Sequence, residues 1–288
     1  MPSAASRLMP VAIRLRGSKK RYLSRQLTLE RIARQQRNPA SFEPPTLAGV
    51  TVERSEVDGW PVFTVSAMPT GRTALYLHGG SFVYQIAKQH WTLIADLVRT
   101  TGTTITVPIY PLAPAGTAAT VIPAVAELAG TLGEPVLIGD SAGGAIALGA
   151  AQILRDRGIR LRTILISPEL DLTLTDPMLR KIEPWDPWLA IPGAAVANEL
   201  WAGDLPLTDP LVSPMFGSLE GLAPVTLFCG TRDMLHADAT TFVTRAARAG
   251  VPVDFHEARG MIHVYPLLPI PEGRAARDVI RAALTAEG

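Results

Sequence analysis

From about residue 73 to the C-terminus, short apolar runs bounded by turn residues alternate with longer helix-like segments. That alternation belongs to a parallel sheet with crossover helices, so the chain predicts an α/β fold. The strand candidates are 73–77, 103–107, 136–139, 163–166, 225–229 and 252–256, several of them rich in branched residues that suit a pleated surface. Helix candidates fall between them at 88–99, 118–128, 142–157, 237–249 and 274–284. Upstream, 50–54 and 61–67 flank Asp58-Gly59, a pair suited to the positive φ of a tight turn. An antiparallel hairpin is therefore expected to start the sheet.

Two stretches break the alternation: the N-terminal stretch to about Pro45, and the Pro- and Trp-rich segment 172–206. Both read as insertions above the sheet. The second holds Trp185, Trp188 and Trp201, three of the five tryptophans. Large aromatics there either line an apolar pocket or pack a small helical subdomain.

At 288 residues, with 47% hydrophobic and 18% charged positions, the chain can bury one large core, which excludes a disordered, fibrous or low-complexity protein. A net charge of +1 gives no field that would draw nucleic acid. The charge is unevenly spread. Residues 1–40 carry ten Lys and Arg, Arg16 and Arg21 among them, against Glu30 alone, a local net of +9 that leaves the remainder at −8. This stretch fits weak contact with an anionic membrane surface or, more plainly, complements the acidic body of its own protein. Cys229 is the only cysteine, so an intramolecular disulfide and a thiolate metal cluster are both excluded. Arg7, Arg14 and Arg16 interrupt the apolar N-terminal residues, which leaves no signal-peptide core, and the longest apolar stretches, such as 145–151, are far short of a membrane span. The default expectation is a cytoplasmic protein with no integral membrane segment.

The chemistry lies in the turns. Gly139-Asp140-Ser141-Ala142-Gly143 follows the apolar run 135–138 and opens a helix of small residues. A serine on such a strand-to-helix turn is held in strained geometry with its Oγ exposed, whereas a plain Gly-rich turn would only pack tightly or hold an anion. Its hydroxyl needs a base. Of the five histidines, His78 belongs to another turn, His90 starts a helix far upstream, His256 sits mid-strand and His236 lies three residues from the best acid. His263 follows the last strand and Gly260, where a loop can return over the site, and it is the base of choice. The acid that orients it is assigned to Asp233, in Gly230-Thr231-Arg232-Asp233 just past a strand end, with Asp238 and Asp254 as rivals. Backbone donors for an oxyanion come from the side-chain-poor loop His78-Gly79-Gly80-Ser81 and from the Ala142 amide, although His78-Gly79-Gly80 alone could be a simple turn.

With these motifs in order, the chain resembles the bacterial hormone-sensitive-lipase-like (family IV) carboxylesterases of the α/β-hydrolase fold over roughly residues 70–288. The resemblance rests on His78-Gly79-Gly80, Tyr110-Pro111-Leu112-Ala113-Pro114, Gly139-Asp140-Ser141-Ala142-Gly143-Gly144, Asp209-Pro210 with Ser213-Pro214, the Asp233 turn, and Gly260 with His263. It implies a mostly parallel sheet with flanking helices, in a single domain 1–288 whose core is about 46–171 and 207–288. A helical cap would come from about 1–45 and 172–206. It also implies a Ser141, Asp233, His263 triad, and an oxyanion hole of the Gly80, Ser81 and Ala142 amides with Gly79 shaping the loop. No metal or cofactor is required. The implied substrates are esters with short or medium acyl chains, with Phe82, Trp185 and Trp188 as pocket walls, and pairing through 252–256 is compatible with a homodimer. An amidase, lactonase or deacetylase could use the same triad, and a non-catalytic binding module could keep the same fold. Three positions depart from the family pattern. Ser81 stands where a third glycine is usual, Pro111 where many members have arginine, and Ala115 where many have glutamate. Asp140 and Asp171 match the pattern and read as turn supports. Activity should rise as His263 loses its proton, near pH 6.5 unless the site shifts it.

Overall fold

The computed structural model describes residues 2–15, 17–68 and 70–286; Arg16 and the Arg21 side chain, counted in the basic stretch, lie outside the description. Among the described residues eight strands form one sheet: β1 (Thr51–Val57), β2 (Trp60–Ser66), β3 (Thr73–Leu77), β4 (Thr104–Pro108), β5 (Val136–Asp140), β6 (Thr163–Ile166), β7 (Val225–Gly230) and β8 (Val253–Ala258). Their order is β1-β2-β4-β3-β5-β6-β7-β8, antiparallel at β1/β2 and β2/β4 and parallel elsewhere. The hairpin closes at Asp58 and Gly59, both at positive φ (50° and 80°), as a two-residue turn matched to strand twist requires.

The described helices are α1 (Ala4–Leu15), α2 (Arg25–Arg37), α3 (Lys88–Thr101), α4 (Ala118–Thr131), α5 (Ala142–Asp156), α6 (Pro177–Ile182), α7 (Ile191–Ala202), α8 (His236–Arg248) and α9 (Pro271–Thr285). The last begins three residues earlier than the sequence pattern suggests. Proline suits the first helical position, where its missing N–H costs nothing.

Side chains alternate across the sheet and divide the core into two layers. Leu75 and Leu77 of β3, Leu137 of β5 and Leu227 of β7 face Val121, Ile146 and Phe242 from α4, α5 and α8. Ala74 and Tyr76, Ile138 and Phe228 face Trp91, Leu97 and Ile280 from α3 and α9. With both faces covered, the central strands read as continuous apolar runs, which is why their positions are legible in the sequence. The two stretches that break the alternation hold α1 with α2, and α6 with α7, and α2 packs on α7. Gly193 of α7 permits that approach. A Cβ there would lie 2.3 Å from the Cα of Tyr22, and its N–H donates to the Tyr22 carbonyl at 2.8 Å.

Candidate active site

Ser141 occupies the turn from β5 into α5 with φ 52° and ψ −120°, a conformation that costs free energy and is kept by its surroundings. The two flanking glycines are needed for contact rather than for φ. A Cβ on Gly139 would meet the Gly143 carbonyl oxygen at 2.2 Å, and one on Gly143 would meet that of Leu77 at 2.0 Å. Helix α5, the Ser141 turn and β3 thus press together only because these positions lack side chains.

The three residues proposed from sequence come together from three separate strand ends. The Ser141 Oγ and His263 Nε2 are 3.0 Å apart, and His263 Nδ1 lies 3.1 and 3.0 Å from Asp233 Oδ1 and Oδ2. All three are buried. Asp233 Oδ1 also accepts the Leu235 N–H at 2.9 Å, which fixes the carboxylate from behind. Asp238, a rival for the acid, instead accepts the Leu170 and Asp171 amides at 2.8 and 2.9 Å, and Asp254 faces His256 at 2.8 Å. His236 is spent on Glu257 at 2.7 Å.

Burial works against charge on both members of the His263–Asp233 pair, and their mutual attraction and hydrogen bond outweigh it. Asp233 is held below the ordinary carboxyl range, and His263, helped by Asp186 and Asp140, is pushed up to about 9. That differs from the value near 6.5 expected from sequence. The reason is the buried contact with Asp233 first of all, with smaller contributions from Asp186 and Asp140, and the closeness and burial of these groups are not displayed by the sequence.

The loop after β3 lies against Ser141, since a Cβ on Gly79 would be 3.0 Å from that of Ser141. The Gly79 N–H is committed to Asp140 Oδ1 at 3.0 Å, in keeping with a shaping role. Among the described residues neither the Gly80 nor the Ser81 amide donates to a protein acceptor. Asp140 is buried and also accepts from the Tyr76 hydroxyl (2.7 Å) and His90 Nε2 (3.2 Å). The Ala87 N–H donates to His90 Nδ1 at 2.8 Å, so the ring proton sits on Nε2, facing Asp140. Despite its burial, these donors hold the Asp140 carboxyl below its usual range. His78 is kept neutral by burial, its pKa lowered to about 4, and its carbonyl accepts the Tyr110 hydroxyl at 2.6 Å.

A family model for the alpha/beta hydrolase fold matches residues 74–267. The chain belongs to that family. This hydrolase is 36% identical over 231 residues to a triacylglycerol lipase of Mycobacterium tuberculosis, a match covering 77% of this chain and 49% of that one. The chain thus spans about half the length of that relative. It is 35% identical over 236 residues to an acetyl-hydrolase of Streptomyces hygroscopicus, covering 77% of this chain and 78% of the relative. A solved esterase of the bacterial hormone-sensitive lipase family superposes with a TM-score of 0.82 at 26% identity, covering 99% of each chain. The hydrolase is of this hormone-sensitive-lipase-like type.

Where the hydrolase departs from the family's motifs, other contacts hold the loop. The Ser81 side chain, at φ 49°, is 3.0 Å from the hydroxyl of Tyr22, which precedes α2. Gln35 of α2 donates to the Val83 carbonyl at 2.8 Å, and the Ala113 N–H donates to the Phe82 carbonyl at 2.9 Å. The three pocket candidates separate in space. Phe82 is fully buried and stacked on Trp201 with ring centroids 4.4 Å apart, Trp188 stands edge-on to His263 at 6.5 Å, and Trp185 is largely exposed.

Sequence reasoning missed two buried carboxyls of this hydrolase. Asp186 accepts the Trp188 and Leu189 amides and, at 2.9 Å, that of Met234, the neighbour of Asp233. Burial, together with the Asp233 charge, pushes it up to about 6. Glu169 follows β6, and its N–H donates to the Ser141 carbonyl at 3.1 Å; burial pushes its carboxyl up to about 7. The signal for Glu169 was a carboxyl three residues past a strand end. For Asp186 no local signal exists, since its partner is 48 residues away.

Among the described residues no group of three or more His, Cys, Asp and Glu could hold a metal ion, and no helix is long and apolar enough to cross a membrane.

Proposed function

We propose that this hydrolase is a serine carboxylesterase that cleaves short- to medium-chain acyl esters through an acyl-enzyme on Ser141. The observation that carries the reading is the unbroken series from the Asp233 carboxylate through His263 to the Ser141 Oγ, beside amides with no protein acceptor. His263 Nε2 takes the Ser141 proton as Oγ bonds to the ester carbonyl carbon. The oxyanion that forms accepts N–H groups of Gly80, Ser81 and Ala142, each such donor being worth about a hundredfold to a thousandfold in rate. Asp233 stabilises the imidazolium, which then gives its proton to the departing alkoxide. Water, activated by the same ring, frees the acid and restores Ser141. Trp188, edge-on to His263, is the proposed wall of the substrate site. Relatives with lipase and acetyl-hydrolase names favour an ester over an amide or lactone.

The testing experiment is hydrolysis of p-nitrophenyl esters from acetate to palmitate as a function of pH. Turnover should peak among the short chains. With the His263 pKa raised to about 9, the neutral base grows about tenfold per pH unit below that value, so kcat/KM should climb between about pH 6 and 9 rather than level off near 6.5. A flat profile, or no hydrolysis of any ester, would sink the reading.

The sheet ends at β8, whose outer edge pairs with no other strand among the described residues. A homodimer paired along that edge is proposed, and a single species at monomer mass in light scattering would reject it. The cytoplasm is the proposed compartment, in keeping with a lone buried cysteine at Cys229.

A further inference from the structure

We infer that the outer face of the N-terminal helices, with Trp185 beside it, docks on an anionic phospholipid surface. The inference concerns a binding surface, and its test needs no ester hydrolysis.

Helix α1 turns Ser6, Pro10 and Ile13 inward. On the opposite side Leu8, Val11 and Leu15, spaced three and four apart, form one stripe and are 67%, 51% and 84% exposed. Leu23, Leu27 and Leu29 are exposed in the next stretch of chain, so six large apolar side chains face outward within residues 8–29. Trp185 joins this surface at 63% exposure. The Arg14 guanidinium, in the last turn of α1, donates to the Pro184 and Trp185 carbonyls at 3.2 and 3.4 Å. An aromatic with an apolar body and a polar edge suits the boundary between water and acyl chains.

Charge selects the occupant. Residues 1–40 carry a net +9, and the plainer expectation was that these cations neutralise the acidic body. Among the described residues Arg25 does so in an exposed pair with Glu199 at 2.6 Å, and Lys19 lies against Glu183 and Asp186, donating to the Asp186 carbonyl at 3.0 Å; Arg7, Lys20 and Arg31 form no such pair. Arg7 and Arg14 flank the apolar stripe, and Lys20 and Arg31 are exposed farther along the same stretch. A stripe of leucines bordered by long basic side chains can sink its apolar face among lipid tails while the cations meet headgroup phosphates. A neutral protein partner would leave these charges uncompensated.

The test is co-sedimentation of the full chain with phosphatidylcholine vesicles, with and without phosphatidylserine. Binding is expected to the anionic vesicles only, and to weaken steeply with salt because the lipid charge is screened. Leu8→Glu combined with Leu15→Glu should lower partitioning by more than about tenfold, since it removes apolar contact and adds repulsion. Arg7→Gln combined with Lys20→Gln should lower it by about tenfold or more at low salt, and this pair still tests the surface should the first variant fail to fold. No binding to anionic vesicles at low salt would overturn the proposal. So would equal binding to neutral vesicles, binding indifferent to both variants, or self-association abolished by the leucine variant without any vesicle binding, which would assign the stripe to a second copy of the chain.

Discussion

Ser141→Ala is expected to lower kcat by about a millionfold, the scale seen when a triad nucleophile is removed, while leaving substrate binding nearly unchanged. The alanine keeps a Cβ, so the strain at φ 52° and the contacts around Gly139 and Gly143 stay as they are, and the melting temperature should move little. What is lost is the one atom that can bond to the acyl carbon, together with the hydroxyl that donates to His263 Nε2. Single-turnover hydrolysis of a short p-nitrophenyl ester, run beside a thermal melt, checks both expectations. Residual turnover above about one hundredth of the parent would mean that the bond to carbon is made elsewhere. Adding His263→Ala to this variant should cost almost nothing more, because nucleophile and base act as a unit.

Asp233→Asn should cost about four orders of magnitude in turnover. The amide can still accept the Leu235 N–H through its oxygen, but its NH2 group then faces His263 Nδ1, which must become an acceptor. The ring proton moves to Nε2, and Ser141 confronts a donor where it needs a base. A second signature separates this from simple damage. Without the neighbouring charge that holds the His263 pKa near 9, the remaining activity should begin its rise at distinctly lower pH. An unshifted profile in a folded variant would show that Asp233 does not set the ring's proton affinity.

How much could be seen beforehand follows from where each contact closes. The central strands were legible because both faces are buried, and the nucleophile turn because its glycines are forced by contacts two residues away. β4 and β8 shifted by one or two residues, since the ladder to a neighbour decides a strand's end: Gly230 pairs with Ala258, two residues beyond the expected stop. Helix α2 lacked a clear pattern of its own. α2 buries only Thr28 and Ile32, and its place is set by α7 across more than 150 residues of chain. Ser141, Asp233 and His263, which the structure brings together, were each proposed from a separate strand end, but the carboxyls around them were not. Asp186 reaches the Asp233 turn from a segment with no strand or helix signal, and it helps move His263 far from its ordinary titration range.

The hydrogen bonds from Tyr22 to Ser81 and from Gln35 to Val83 tie the N-terminal segment to the loop after β3, so the two are coupled. Linkage runs in both directions with the same free energy. A tetrahedral adduct held by the loop's amides favours docking of the N-terminal helices by the same coupling free energy with which the docked helices favour the adduct, and whatever lifts those helices loosens the loop. Removing them would leave Ser141, His263 and Asp233 intact in sequence and would still take away the hydroxyl and the amide that hold Ser81 and Val83. The outermost segment of the chain is therefore answerable for the geometry of its innermost turn.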